Sequence, residues 1–354
     1  MKLWYGMLIF IPIALGSKYL DGPVVLTFAS AALGVIPLAA LMGRATESLA
    51  AHTSPRVSGF LNATLGNAAE LIITLSAIRA GLLDLVKASI TGSILGNLLL
   101  VMGASLLFGG LRNGRQRFDR VRAGLDSTML ILALIALIVP SLFSHSIEAI
   151  NHDAVEYLSL GVATAMMIVY GLGLLYAFNS TASAPSPLQD FHPSDEADEE
   201  MWSVKTAIGV LVLSTVFIAW MSEMMVGTVE PVLEHLGWTE FFLGVIIIPI
   251  IGNVAEHLVA VQVAIKDQMD MSLEVSLGSS LQIALFVSPL LVFVSLLIGH
   301  PLTLVFNQFE LIALAAAALI AALVALDGES NWLEGAQLLV VYVIVGIAFF
   351  FLPM

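Results

Sequence analysis

The chain contains no cysteine. That excludes disulfides, thiolate metal sites and cysteine nucleophiles, and it leaves the redox compartment unread. Charge is scarce as well: 11% of residues are Asp, Glu, Lys or Arg, against about a quarter in soluble domains. Cations are the scarcer sign, with 13 Lys and Arg against 27 Asp and Glu and a net charge of −14. That balance argues against a nucleic-acid partner. Neither a nucleophile nor a metal triad stands out, so no enzyme and no cofactor are expected. What is abundant is apolar: 59% hydrophobic residues and a mean hydropathy of +0.98. The composition predicts an all-α polytopic membrane protein, with the lipid bilayer as its principal partner.

At about 20 apolar residues per span, the runs predict eleven transmembrane helices, at 3–20, 23–43, 57–81, 83–111, 125–143, 155–178, 204–229, 239–265, 272–298, 302–326 and 332–352. The first follows Lys2 and carries Ala14-Leu15-Gly16, which resembles a signal-peptide cleavage site. Its apolar stretch begins almost at once, so it is read as an N-terminal membrane helix. Eleven spans put ten cations on one side (Lys2, Arg44, Arg56, the five arginines from Arg112 to Arg122, Lys205 and Lys266) and three on the other (Lys18, Arg79, Lys87). The asymmetry predicts a cytoplasmic N-terminus and an external C-terminus in a cytoplasmic (plasma or inner) membrane. The arginine run is read as a topology anchor, with contact to anionic lipid as its alternative.

Two apolar runs carry an acid, although a charge at mid-bilayer costs about 2.5–3.5 kcal/mol on insertion scales. They are Gly66-Asn67-Ala68-Ala69-Glu70 and Gly252-Asn253-Val254-Ala255-Glu256. At an offset of 186, Gly66, Asn67, Ala69, Glu70, Asp84, Gly92, Ser93 and Leu95 meet identical residues without a gap. This is an internal repeat. It divides the chain into an N-terminal helix (1–21), a first five-helix repeat (22–178), an acidic cytoplasmic linker (179–203) and a second five-helix repeat (204–354). Five spans is an odd number, so the two repeats are expected to be inverted across the membrane, with the substrate site at the midplane between them.

Within each motif Gly and Glu lie four residues apart, on one helix face. Gly66, Gly252 and the nearby Pro249 predict that both helices are kinked or broken at the glycine, freeing carbonyls toward an ion. The Gly92/Gly96 pair has the spacing of close helix contact. The following helices add Ser89, Ser93 and Asn97 in one repeat and Ser279 and Gln282 in the other. Ser93 and Ser279, at equivalent positions, are candidate site lining; Ser89 is read as structural. Asn97 and Gln282 break the symmetry and fit either the site or bonds between helices. All these ligands are oxygens, which favours hard cations, and a flexible set suits calcium better than magnesium. His257 follows Glu256 directly and is read as a gate or proton-sensitive neighbour.

Two facing glutamates carry −2, which one divalent cation or two protons neutralise, and the empty ionised pair is the costly state. That is sufficient for exchange of metal against protons. Glu223, inside the seventh span, is either a membrane-edge acid or a proton carrier or gate. Glu47, Glu230, Asp126 and Glu310 lie nearer span ends and are read as interfacial. Asp195, Glu196, Asp198, Glu199 and Glu200 form either a solvated helix start or a regulatory cation sensor.

The paired Gly-Asn-x-Ala-Glu segments, with His257 after the second, resemble the two signature motifs of the calcium/cation antiporter superfamily, specifically its cation/proton branch. Gly278-Ser279-Ser280-Leu281-Gln282 and Met42-Gly43-Arg44-Ala45-Thr46-Glu47 resemble that branch too. The resemblance implies a Ca²⁺/H⁺ antiporter with calcium as the transported ion, possession of a regulatory acidic helix, and often a homo-oligomer such as a trimer. It implies metal carried by Glu70 and Glu256, helped by carbonyls near Gly66 and Gly252 and by Asn67, Asn253, Ser93, Ser279 and Gln282. Sodium/calcium exchangers of the superfamily would carry Gly-Thr-Ser and a proline before the acid, and neither occurs here. A sodium-driven exchanger on the same fold is the alternative, followed by a passive cation channel in which the glutamates form a selectivity ring.

Overall fold

The computed structural model describes residues 2–148, 154–179 and 201–352; the acidic run 195–200 lies outside them. The helices are α1 (Lys2–Met7), α2 (Phe10–Tyr19), α3 (Val24–Ala51), α4 (Pro55–Leu65), α5 (Ala68–Arg79), α6 (Leu83–Asn113), α7 (Arg120–Glu148), α8 (Ala154–Asn179), α9 (Val204–Val226), α10 (Val229–Leu236), α11 (Glu240–Ile265), α12 (Met269–Ile298), α13 (Gln308–Val324) and α14 (Trp332–Phe351). The described residues are otherwise nearly strand-free: β1 (Gln116–Arg117) pairs antiparallel with β2 (Glu329–Ser330).

Eight of these helices are long and apolar enough to cross a membrane: α3, α6, α7, α8, α9, α11, α12 and α14. The three other anticipated spans take shorter forms. The first is the ten-residue α2, the third is the broken pair α4/α5, and the tenth is the seventeen-residue α13. The tenth begins later than its apolar run because residues 302–306 are not helical. Their amides are satisfied instead by serine hydroxyls: Leu302 N–H donates to Ser295 Oγ (2.8 Å), Leu304 N–H to Ser159 Oγ (3.0 Å) and Phe306 N–H to Ser141 Oγ (2.9 Å). Non-helical backbone at membrane depth is tolerated only where protein covers and satisfies it.

Burial separates inner helices from outer ones. In α6, 72% of the apolar span is buried, against 22% in α8, α9 and α14, whose outward Ile168, Leu172, Val212, Leu213, Val340 and Ile344 suit lipid contact. Hence α6 is central and the other three are peripheral.

The turns that feed α6 and α12 match residue for residue at the 186 offset. Gly81 (φ 80°) and Asp267 (φ 64°) both adopt positive φ. Leu82 N–H donates to Ala77 O and Gln268 N–H to Val263 O, each at 3.0 Å; Ala80 to Ser76 (3.1 Å) and Lys266 to Gln262 (3.2 Å) correspond as well. Aspartate tolerates this conformation better than most residues, and the Asp267 Oδ1 accepts from Gln116 Nε2 (2.9 Å). A widened π-type turn follows in both helices, Gly96–Val101 in α6 and Ile283–Val287 in α12.

At one end of the bundle the loop after α6 clasps this second turn. Asn113 Nδ2 donates to Ala264 O (3.2 Å) and Ile265 O (3.1 Å), Gln116 Nε2 to Ala264 O (2.8 Å), and Asp119 N–H to Asp270 Oδ1 (2.6 Å). The opposite end holds the Gly81 turn, which faces His300.

Near that opposite end α6 crosses α11 closely. A Cβ on Gly92 would fall inside van der Waals contact with the Val245 main chain, and one on Gly244 would collide with Ala88. Gly96, by contrast, has open space beside it, with nothing within 4 Å of a built Cβ, so only Gly92 of the glycine pair makes the crossing. Gly92→Ala should therefore lower the unfolding midpoint of the detergent-solubilised protein, by overpacking worth about 1–3 kcal/mol. Gly96→Ala should leave it unchanged or raise it, since Ala is better in a helix by about 0.5–1 kcal/mol. The reverse order in a melting experiment would reject the crossing.

Candidate cation site

The two acidic segments fold differently although their sequences match. In the first, the helix breaks: α4 ends at Leu65, Gly66 and Asn67 form the joint (Asn67 φ −99°, ψ 23°), and α5 starts at Ala68. In the second, α11 runs helical through Gly252, and the irregularity lies upstream in a π-type turn at Leu243–Ile247. The expected break at both glycines is thus met at Gly66 only. The cause is Pro249: lacking an N–H, it disturbs hydrogen bonds on its N-terminal side, and the widened turn there absorbs the disturbance.

Both acids lie near the crossing of α5 and α11. Gly252 packs on Glu70, whose Cα and Cβ would lie 4.0 Å from a built Cβ. Asn253 Nδ2 donates to Glu70 Oε2 (3.4 Å) and to Ser93 Oγ (3.4 Å). Each contact joins the Asn of one half to the acid and serine of the other. The second half does not mirror this. Ser279 Oγ donates to Glu256 Oε2 (3.3 Å), while Asn67 Nδ2 donates to Gln282 Oε1 (2.7 Å). Gln282 makes a bond between helices, and it also stands 3.4 Å from a Cβ built on Gly66.

Exposure is equally lopsided. Glu70 is 1% exposed and Asn253 4%, whereas Glu256, Ser279 and Gln282 are partly accessible and Gly66 is exposed. Glu256 also experiences the charges of Glu70 and of Glu47 on α3. The open side is the α4 side, where Val57 and Phe60 are exposed. On the other side Gly92 and Gly244 seal α6 against α11.

The remaining candidates divide. Ser93 joins Glu70 through Asn253. Ser89 and Asn97 are buried, and neither Ser89 Oγ nor Asn97 Nδ2 has a partner among the described residues. His257 is buried with Nε2 unpartnered, one residue out of phase with Glu256. Glu223 is exposed, one turn before the end of α9, and is not brought to Glu70 or Glu256. Glu230 is exposed as an interfacial acid should be. Asp126 and Glu310 depart from the interfacial reading, being 4% and 1% exposed. Glu310 closes a capping box, its Oε2 accepting from Asn307 N–H (2.8 Å).

No group of three or more His, Asp or Glu side chains arranged to hold a metal ion forms among the described residues. The geometry can therefore offer a cation two carboxylates, plus amide and hydroxyl oxygens from both halves, the donor chemistry of a hard divalent ion.

Comparison with known proteins agrees in kind. The sodium/calcium exchanger protein family matches residues 23–179 and 206–351. The chain is 44% identical to the Ca(2+)/H(+) antiporter of Aphanothece halophytica, across 99% of this chain and 97% of the relative. It is 42% identical to the Ca(2+)/H(+) antiporter ChaA of Bacillus subtilis (strain 168), across 97% of each. The solved structure of native YfkE superposes with a TM-score of 0.85 at 40% identity, covering 99% of this chain and all of that one. A multi-pass membrane protein with these motifs, these apolar helices and this likeness over its full length belongs to the sodium/calcium exchanger protein family, on its cation/proton exchanger branch.

Proposed function

We propose that this chain is a secondary active antiporter that exchanges cytoplasmic calcium for protons at a site carried by Glu70 and Glu256. The observation that carries the reading is the crossed pairing in which Asn253 of one half reaches Glu70 and Ser93 of the other. A site assembled from both halves opens or closes as they rock, which is the requirement for alternating access. Relatives named Ca(2+)/H(+) antiporters, at 42–44% identity over nearly the whole chain, favour protons over sodium as the driving ion.

Eleven spans in two inverted five-helix repeats (22–178 and 204–354) after an N-terminal helix (1–21) form the scaffold of this reading. Its supports are the turns matched at 186 positions and the grouping of the loops after α6, α11 and α13 at one end. Cation asymmetry assigns that end to the cytoplasm. Glu256, partly accessible from it, is the first carboxylate a cytoplasmic ion meets, and Glu70 lies deeper. Asn67, held here by Gln282, takes up on the opposite-facing state the role that Asn253 has in this one. Two protons or one calcium ion neutralise the pair, so the occupied forms cross the apolar barrier and the bare −2 form does not.

The direct test is calcium uptake into proteoliposomes under an imposed pH gradient, with and without sodium. Uptake should follow the pH gradient and ignore sodium; the opposite dependence would sink the proton reading, and downhill leak without proton movement would favour a channel. Glu70→Gln and Glu256→Gln should each reduce coupled uptake to background, because one carboxylate neither balances a divalent ion nor releases two protons. Near-normal exchange by either variant would misplace the site. Protons and calcium compete for the same oxygens, so calcium affinity measured by calorimetry should fall as the pH is lowered, more steeply than first order in proton concentration while both acids titrate. A constant affinity from mildly acidic to mildly alkaline pH would separate the two sites.

A further inference from the structure

Among the ion pairs away from the glutamate site, one is buried between helices at one end of the bundle and another lies within a helix at the other end. At the end bearing the loop after α6, Arg122 Nη2 on α7 meets Glu274 Oε1 on α12 at 2.5 Å, with side chains only 12% and 10% exposed. Arg122 therefore turns inward and away from lipid. At the other end, Lys87 on α6 bonds Asp84 Oδ1 (2.6 Å) and lies in the field of the buried Glu310 on α13. Glu310 also faces Thr91 of α6. Thus α7 of the first half holds α12 of the second.

Glu274 opens the π-type turn Glu274–Gly278, which runs directly into Ser279. Such a turn carries one residue more than an α-turn, so its relaxation to α geometry would rotate everything after it by about 100°. Ser279 and Gln282 would then leave Glu256 and Asn67. A widened turn of this kind persists only when its surroundings fix it. The Arg122–Glu274 pair, with Asp119 N–H on Asp270 Oδ1 (2.6 Å) one turn earlier, grips the helix at its first two turns.

We propose that Arg122 and Glu274 are positioning residues that tether α12 to α7 and hold the widened turn, so that Ser279 and Gln282 face the cation site. The assignment rests on reading Ser279 and Gln282 as site lining.

The experiment is a double-mutant cycle of Arg122→Gln, Glu274→Gln and both together, with Arg122→Lys as the conservative variant. Two readouts are taken: half-saturating calcium for proton-driven uptake in proteoliposomes, and amide hydrogen exchange of the segment 274–282 in detergent. Breaking a buried pair is costly, so each single variant should raise half-saturating calcium about tenfold while the maximal rate stays within about twofold. Exchange should quicken in 274–282 and stay unchanged in α5. The double variant should be no worse than either single one, and Arg122→Lys should stay near wild type. Single variants with wild-type half-saturation, additive effects in the double variant, or exchange quickening evenly through the chain would overturn the tether. Failure of the wild-type protein to take up calcium would count against the exchange reading alone, because the local exchange cycle still judges the tether.

Discussion

A carboxylate inside a helix bundle in lipid finds no water to stabilise it, and the protein must supply the matching dipoles. Here the match comes from the opposite half of the chain: the Asn253 amide reaches Glu70 and Ser93. Much of the architecture follows from that need. The two acidic segments must cross, and Gly252 of α11 faces Glu70 there. The helices beside them must be central, which leaves α8, α9 and α14 to face lipid. Gly92 and Gly244 then close one approach to the crossing, while the break at Gly66–Asn67 leaves the other open.

Equal sequence has not produced equal structure in the two halves, and the difference has local causes. The first acidic segment breaks at Asn67 (φ −99°, ψ 23°), whereas Pro249 moves the irregularity of the second upstream into Leu243–Ile247. Gln282, whose counterpart in the first half is Gly96, captures Asn67. One acid ends up sealed and the other partly open. On the proposed mechanism, in which the halves exchange roles, such asymmetry describes one state.

The positions of Glu70 and Glu256 could be read from the chain because an acid in an apolar run is costly and its repetition at a fixed offset is improbable. The membrane class and most of the long helices were legible for the same reason: hydrophobic length is a local property. What escaped the sequence depends on distant partners. Residues 302–306 are apolar enough to pass for helix, and their non-helical form is made possible by Ser295, Ser159 and Ser141 from α12, α8 and α7. Glu310 is buried, although counting from the span end places it at the surface. Arg122 belongs to an arginine run that reads as a topology anchor, and only the approach of α12 shows its inward partner. Pairings of this sort carry no periodicity.

The short ladder in which Gln116 and Arg117 pair with Ser330 and Glu329 also constrains how the protein is made. At about 5–20 residues per second of synthesis, roughly 10–40 s separate the emergence of the two strands. Until then the loop after α6 lacks its final partner, and the first half waits in the bilayer with that face unfinished. The ladder is a late event by necessity, a seam closed when nearly the whole chain has been delivered to the membrane.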